Sequence, residues 1–245
     1  MRNIFKLLLV TVILLPGLTG TAQDKTEKIK AKSFVEFSAG ISAPFGNFAK
    51  SDYDNPKAGF AQLGPHFNFG GAYFIPHTNF GFGGFIAYSQ YTLRNMQNMS
   101  DGYLDAFGVD SATVKYTKYH KIDVLIGPYY SIPTKYVTVD FRLLGGVTNA
   151  LSPQIKVYLE DDPTDGFTQD KALATALAAQ VGFGLRFTPI PQFAIALRAD
   201  YFYSRPVFDI SNENRVVAAG RLISSYTEPI QGINATLGLV YQFGK

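Results

Sequence analysis

The residues that could perform acid–base or nucleophilic chemistry are few. The 245-residue chain has three histidines and no cysteine, which excludes a cysteine nucleophile, a thiolate metal site and a disulfide scaffold. A hydrolase or acyltransferase would need a histidine close to a serine and a carboxylate. None of His66, His77 and His120 sits in such a local pattern. The sequence therefore predicts no enzymatic activity, no catalytic residue and no cofactor.

Acidic side chains are concentrated in two segments that we expect to be loops. The first contains Asp52, Asp54 and Asn55. Oxygen ligands of this kind suit calcium, but the same residues are ordinary turn formers. The second segment lacks the glycine and glutamate offsets of an EF-hand. We predict solvated loop tips and no metal site, with calcium binding as the alternative. The acidic residues of the second segment are Glu160, Asp161, Asp162, Asp165 and Asp170.

Eight other charged residues lie inside segments of alternating polarity, always on the polar side. Four are basic and four are acidic: Glu36, Lys121, Asp123, Asp140, Arg142, Arg186, Arg198 and Asp200. A buried charge must be paired, and the arginine fork binds carboxylates through two hydrogen bonds. We predict an ion-pair network that fills an enclosed interior; the alternative is a narrow ion path. Its forks would be Arg142, Arg186 and Arg198, against Asp140, Asp200 and Glu36.

The elements that must position these charges are strands. A period of two places successive side chains on opposite faces. Segments of about ten residues are long enough to cross a bilayer when tilted, and backbone pairing then requires a closed barrel. We predict an all-β fold, a closed antiparallel up-and-down barrel of eight transmembrane strands. The alternating segments are 35–42, 62–75, 80–89, 121–131, 137–148, 177–188, 195–204 and 232–243.

Short and long connections alternate along the chain, as in outer-membrane barrels. Three short turns fall at 76–79, 133–136 and 189–192. Ten strands are the alternative if the loops contain hairpins, but we interpret the short alternating runs 154–160 and 221–223 as strand extensions. A soluble barrel or sandwich would need a charged outer face, whereas the polar faces here carry mostly small residues. The four long loops lie near 43–60, 94–116, 150–174 and 205–229.

The first residues have the features of a secretory signal peptide. Arg2 and Lys6 precede an apolar run from Leu7 to Leu15, and small residues follow up to Ala22. This run is less than half of the roughly 20 residues that a membrane anchor needs. We predict a signal peptide over 1–22, a polar lead-in over 23–32 and the barrel domain over 33–243.

The last predicted strand carries a motif of polar, glycine and aromatic residues at fixed spacing: Thr236, Gly238, Tyr241 and Phe243. It resembles the signal by which the barrel-assembly machinery recognises its substrates, except that two residues follow Phe243. With the segment 40–48, the chain is similar to small eight-stranded outer-membrane barrels of the OmpA and OmpX kind, and to the PorT-like barrel domain of Bacteroidetes. The resemblance implies this fold and the cell outer membrane of a Gram-negative bacterium.

The expected partners follow from the fold. They are the bilayer with its outer-membrane lipids, the barrel-assembly machinery during biogenesis, and a protein bound through the loops. A net charge of +3 gives no basic footprint for nucleic acid. We predict a non-enzymatic integral membrane protein with an envelope-structural or surface-interaction role. An accessory subunit of a secretion or assembly complex, or a narrow pore, is the alternative.

Overall fold

The computed structural model describes residues 29–55, 57–159, 162–214 and 220–244. The predicted signal peptide lies outside these residues. Thirteen strands and one α-helix occur in the described part of the chain. Eight strands form a closed antiparallel barrel: β1 (Ser33–Pro44), β2 (Gly64–Phe74), β3 (Phe80–Tyr91), β5 (Tyr119–Pro133), β6 (Val137–Leu151), β9 (Leu173–Ile190), β10 (Phe193–Ser204) and β13 (Ile230–Phe243).

The barrel closes because its first and last strands pair. Each strand is hydrogen-bonded to the next barrel strand along the chain, and β1 pairs with β13 from Ser33 opposite Phe243 to Pro44 opposite Gly232. The three predicted short turns connect β2 to β3, β5 to β6 and β9 to β10. The eight-stranded fold predicted from the alternation is thereby confirmed, and the ten-stranded alternative is wrong.

The outward face of the barrel is a continuous apolar surface. Leucines on this face are among its most exposed large apolar side chains, with Leu177 at 83% and Leu239 at 72%. Polar residues of the same strands are buried inside; Ser38, Asp123 and Thr148 are each at most 1% exposed. An apolar exterior around a polar interior is the inverse of a soluble barrel and matches a bilayer environment.

Aromatic rings mark both ends of this apolar surface, but not all of those that the spacing suggests. Tyr130 and Tyr136 point outward beside the short turns, as expected for an interfacial belt. Their places near the ends of the alternating segments predict Tyr129, Tyr91 and Tyr119 for the same belt, and this prediction is wrong, because each is at most 6% exposed. They belong to the inward set of their strands, where the period of two places every second residue.

The long connections build a cap over one end of the barrel. Five further strands form a second sheet, in the order β12 (Gly220–Thr227), β11 (Val207–Asn214), β8 (Asp162–Gln169), β7 (Ile155–Leu159) and β4 (Ala112–Tyr116). One helix, α1 (Met96–Phe107), precedes β4, and a 3-10 turn, Gly46–Ala49, follows β1. The runs that we interpreted as strand extensions fall in β7 and β12, which belong to this separate sheet.

Within the described residues, no helix has the length and apolar character that crossing a membrane as a helix would require.

Candidate functional site: the barrel lumen and its two mouths

The lumen contains all eight of the charged residues singled out in the sequence. Each is at most 6% exposed, and each takes part in an ion pair with another member of the set. The strands hold them there because every member occupies an inward position of a strand whose outward neighbours face lipid. The charges form three groups along the barrel axis, from the short turns toward the cap.

The group nearest the short turns is a chain of four charges that centres on Asp140. Arg186 donates from Nη2 to Asp140 Oδ1 at 2.9 Å, and Arg198 Nη1 lies 3.6 Å from Asp140 Oδ2. Arg198 also holds Glu36, with its Nε donating to Glu36 Oε1 at 2.7 Å. Ser131 adds a hydroxyl that donates to Asp140 Oδ1 at 2.5 Å. One carboxylate is thus shared between two arginines, which ties three strands together.

The middle group is a two-pronged pair between Arg142 and Asp200. Arg142 Nε donates to Asp200 Oδ1 at 2.7 Å, and Nη2 donates to Oδ2 at 2.5 Å. The guanidinium also lies 5.2 Å from the centre of the Phe85 ring. This is the parallel fork geometry in which an arginine and a carboxylate bind most strongly. It bridges β6 and β10, which are not hydrogen-bonded neighbours in the barrel.

The group nearest the cap pairs Lys121 with Asp123. Thr148 donates its hydroxyl to Asp123 Oδ1 at 2.6 Å. The ammonium of Lys121 lies 3.6 Å from the centre of the Phe202 ring, a cation–π contact that replaces part of its lost hydration. Each of the three groups therefore contains charges of both signs and makes additional polar or aromatic contacts.

Glycines on the inward face make the room that the long charged side chains occupy. A β-carbon on Gly182 would lie 1.8 Å from Asp200 Oδ1, and one on Gly184 would lie 2.8 Å from Arg198 Nη1. A β-carbon on Gly238 would lie 2.7 Å from Glu36 Oε1. The small residues of the polar faces and the large charged ones are thus complementary parts of one packed interior.

An aromatic plug closes the lumen at the cap. Phe48, on the 3-10 turn after β1, is fully buried. The centre of its ring lies 5.1 Å from that of Tyr91 and 5.3 Å from that of Tyr119. Beneath it, Ser42 donates to Asn234 Oδ1 at 2.5 Å and accepts a hydrogen bond from the Tyr91 hydroxyl at 2.7 Å. These contacts place an apolar lid and then a polar layer above the ion pairs.

The three histidines lie apart, and each has a local partner. His66 Nδ1 is 2.8 Å from Ser89 Oγ inside the lumen, where both residues are at most 1% exposed. His77, in the β2–β3 turn, lies 2.7 Å from Lys30 Nζ, and His120 Nδ1 lies 2.7 Å from the Tyr88 hydroxyl. The Ser89–His66 pair is a contact that the sequence pattern did not reveal, since the two residues belong to neighbouring strands.

The cap contains a buried carboxyl group of a different kind, which the sequence analysis missed. Glu228, between β12 and β13, is 2% exposed, and its Oε1 has no hydrogen-bond partner among the described residues. It lines a cavity of about 190 Å³. Burial raises the pKa of the Glu228 carboxyl to about 8, and it raises the pKa of nearby Tyr226. Glu228 is accordingly protonated in the folded protein at neutral pH.

The acidic loop residues do not form a metal centre in the part of the chain that the structure describes. No group of three histidine, aspartate or glutamate side chains with metal-binding geometry occurs there. Asp52 accepts a hydrogen bond from the backbone N–H of Asp54 at 3.3 Å, and Asn55 accepts one from Lys57 at 3.1 Å, both typical of turns. Glu160 and Asp161 lie outside the described residues.

The four residues of the predicted assembly signal lie on β13. Thr236 is 2% exposed and faces the lumen with Gly238. Tyr241 and Phe243 face outward at 42% and 40% exposure, and the Tyr241 ring packs 5.5 Å from that of Phe193. The outward aromatic residues are accessible on the last strand; recognition by the assembly machinery stays a prediction.

Comparison with known proteins supports the fold. No family model matches the chain, and no curated protein does. A major outer membrane protein from Thermus thermophilus is similar in structure, with a TM-score of 0.51 at 14% identity over 86% of this chain and 98% of that chain. Weaker similarities are to Neisserial surface protein A (TM-score 0.44, 12% identity, 87% and 98% covered) and the Escherichia coli outer membrane protease OmpT (0.45, 10%, 86% and 95%).

A closed barrel with an apolar exterior and a filled polar interior satisfies every requirement of a bilayer-spanning β-protein. The protein is accordingly a transmembrane β-barrel of the cell outer membrane.

Proposed function

We propose that this protein is a non-enzymatic outer-membrane barrel whose lumen is a structural plug and whose cap serves surface interaction or envelope structure. The ion-paired lumen is the observation that carries the proposal. Eight strands leave an interior that is just wide enough for side chains to fill. Here that interior holds equal numbers of paired basic and acidic groups, with Phe48 above them.

The absence of catalysis is supported by the surroundings of the one serine–histidine pair found among the described residues. Ser89 and His66 are buried in the lumen below the Phe48 plug, at 0% and 1% exposure. A nucleophile must reach its substrate, and a pair enclosed by barrel and cap has no such access. We propose that the pair satisfies the polar groups of neighbouring strands.

The plug is tested by single-channel recording in planar bilayers. We expect the refolded protein to give no steady conductance, because the Arg142–Asp200 pair spans the interior. Asp200→Ala combined with Arg142→Ala should open transient currents, while Leu143→Ala, a change on the outward face of the same strand, should not. Steady, ion-selective conductance of the unaltered protein would establish the narrow-pore alternative and contradict the plug.

A role as an accessory subunit of a secretion or assembly complex is the second candidate. The observation that favours it is the cap sheet, whose end strands β4 and β12 each pair on one side only in the described structure. Such edges can add a strand from a partner. The sequence also offers an apolar run over 216–219 as a contact surface, but these residues lie outside the described part of the chain.

Mild detergent extraction of the tagged protein from its own membranes, followed by mass spectrometry, separates the two candidates. A stoichiometric partner that is lost when Thr113 or Val114 of β4 is replaced by proline would establish the subunit role. Proline at Asp110, an exposed residue outside any helix or strand, is the control. A monomer without partners would favour the structural role.

A further inference from the structure

The mouth on the short-turn side contains a cavity that is lined by cations and by no carboxylate of the described residues. Its volume is about 300 Å³, at the lower end of the roughly 300–1,000 Å³ of small-molecule pockets. Barrels of this type turn this mouth toward the periplasm. The cations that line it are Lys30, Lys32, Lys135 and Arg186.

Arg186 forms the floor of this cavity and is itself 1% exposed. Its Nη2 donates to Asp140 and its Nη1 donates to the Lys32 carbonyl at 3.4 Å, but its Nε has no partner among the described residues. Asp140 is shared with Arg198, so this carboxylate does not neutralise Arg186 alone. The guanidinium also stacks 4.3 Å from the centre of the Phe34 ring, so what Arg186 gives the cavity wall is a buried positive charge.

The three lysines at the rim are engaged only by neutral groups within the described structure. Lys30 lies 2.7 Å from the His77 ring nitrogen, and Lys32 donates to the Pro191 carbonyl at 3.3 Å. Lys135 lies 5.1 Å from the centre of the Tyr136 ring. None of the ion pairs of the described residues includes them. The ion-paired lumen is neutral, so these three charges are an excess at this mouth.

Uncharged hydrogen-bonding side chains complete the wall. Thr134, Thr138 and Thr188 line the cavity; the Thr134 hydroxyl donates to the Val137 carbonyl at 2.6 Å, and Gln242 donates to Thr188 at 3.1 Å. Hydroxyl and ammonium donors around a guanidinium are the groups that bind phosphate oxygens. A single lysine at a surface would be screened by salt, whereas several charges converging on one concave site raise the local anion concentration.

We propose that this mouth is a binding site for a phosphate-bearing anion. The charge of Arg186 attracts the anion from below, and Lys32 and Lys135 bind and neutralise it from the rim. The anion is either the headgroup of an anionic phospholipid in the facing leaflet or a free phosphate compound, because both present the same oxygens. The site is separate from the plug, since it adds a ligand at the end of the lumen and leaves the ion pairs intact.

The test compares two triple variants of the full chain in a neutral detergent. In the first, Lys30→Gln, Lys32→Gln and Lys135→Gln remove the rim charges; in the second, Lys115→Gln, Lys118→Gln and Lys171→Gln remove as many exposed charges near the cap. Thermal unfolding is followed by circular dichroism in sodium phosphate and in sodium chloride of equal ionic strength. The unaltered protein and the cap-side variant should unfold at higher temperature in phosphate, and the rim variant should need about ten-fold more phosphate for the same shift.

Native mass spectrometry after release from nanodiscs distinguishes the two sources. Retention of phosphatidylglycerol over phosphatidylcholine by the unaltered protein, lost in the rim variant, identifies a lipid headgroup. Phosphate protection without lipid retention identifies a free phosphate compound. Equal unfolding temperatures in phosphate and chloride together with no lipid retention, or equal losses in both variants, would overturn the proposal.

Discussion

The lumen and the cap bury carboxyl groups in opposite ways. In the lumen, Glu36 and Asp200 are held by arginines at hydrogen-bond distance. In the cap, Glu228 is equally buried, yet its Oε1 has no partner in the described structure and its pKa is raised to about 8. Paired strands hold their inward side chains at regular distances, so that opposite charges can meet. Loops have no such regular spacing. The barrel can therefore bury ions, whereas the cap can bury this carboxyl only as the neutral acid.

The largest expected effect comes from breaking an ion pair in the lumen. Arg142→Met should destabilise the barrel by about 3–5 kcal/mol, because Asp200 would be left as a buried, unpaired charge. Adding Asp200→Leu should restore much of this loss, since two apolar side chains need no partner. Urea titration in detergent, followed by the shift in gel mobility between folded and unfolded barrel, measures both. Leu143→Met, on the outward face, is the control and should change stability little.

A smaller effect is expected from filling the space that an inward glycine leaves. Gly182→Ala should cost about 1–3 kcal/mol, the usual penalty of overpacking, because its β-carbon would lie 1.8 Å from Asp200 Oδ1. Gly145→Ala is the control, because a β-carbon on Gly145 would lie 4.0 Å from its nearest neighbour, the Ala178 carbonyl oxygen. The same urea titration compares the two. Equal losses would show that the lumen adjusts freely and is not a packed plug.

Glu228 should give the cap a dependence on pH. Its pKa rises from 4.5 in the unfolded chain to about 8 in the folded protein, so the folded state binds more protons between these values. Its contribution to stability is complete below pH 4.5 and is lost as the pH rises through 8. Glu228→Gln should flatten this slope and stabilise the protein at high pH by about 1–4 kcal/mol, because the amide does not ionise and each unit of pKa difference is worth about 1.4 kcal/mol. Asp101→Asn, on the exposed helix, should leave the slope unchanged; a steep slope in Glu228→Gln would contradict the assignment.

The smallest effect is expected on the surface of the cap. Gln97 donates to Asp101 at 2.8 Å, one turn later on α1. Such a pair on an exposed helix is worth about 0.2–0.5 kcal/mol, so Gln97→Ala should barely alter the urea midpoint. Hydrogen exchange of the α1 amides, where local opening is visible, measures the change. An effect as large as that of Arg142→Met would mean that cap and barrel unfold as one tightly coupled unit.

The same difference explains what the sequence could predict. Alternation with a period of two predicts whether each barrel residue faces inward or outward. The strands, and the inward position of residues such as Arg198, therefore follow from the sequence. The prediction of an aromatic belt was wrong at Tyr129 because its neighbour Tyr130 faces outward, so the alternation places Tyr129 inside. The pattern is informative there because lipid outside and a crowded interior impose opposite requirements.

The cap offers no such constraint, and the sequence predicted little of it. Its strands β4 and β11 do not face a bilayer, so no alternation is imposed on them. The residue before α1, Asn95, has a left-handed backbone conformation and makes no side-chain hydrogen bond that caps the helix. Nothing in the local sequence marks Glu228 as buried, because its surroundings come from several separate loops. The basic mouth was also missed, since Lys32, Lys135 and Arg186 meet only after the barrel has closed.

The pairing of β1 with β13 sets the order of events in biogenesis. Ser33 lies opposite Phe243, so the ring of backbone hydrogen bonds cannot be completed until the last strand has been synthesised and delivered. Until then, two open edges would face hydrocarbon without partners. A chain that lacks β13 therefore cannot close the barrel, and the closing seam joins the first and the last strand of the domain.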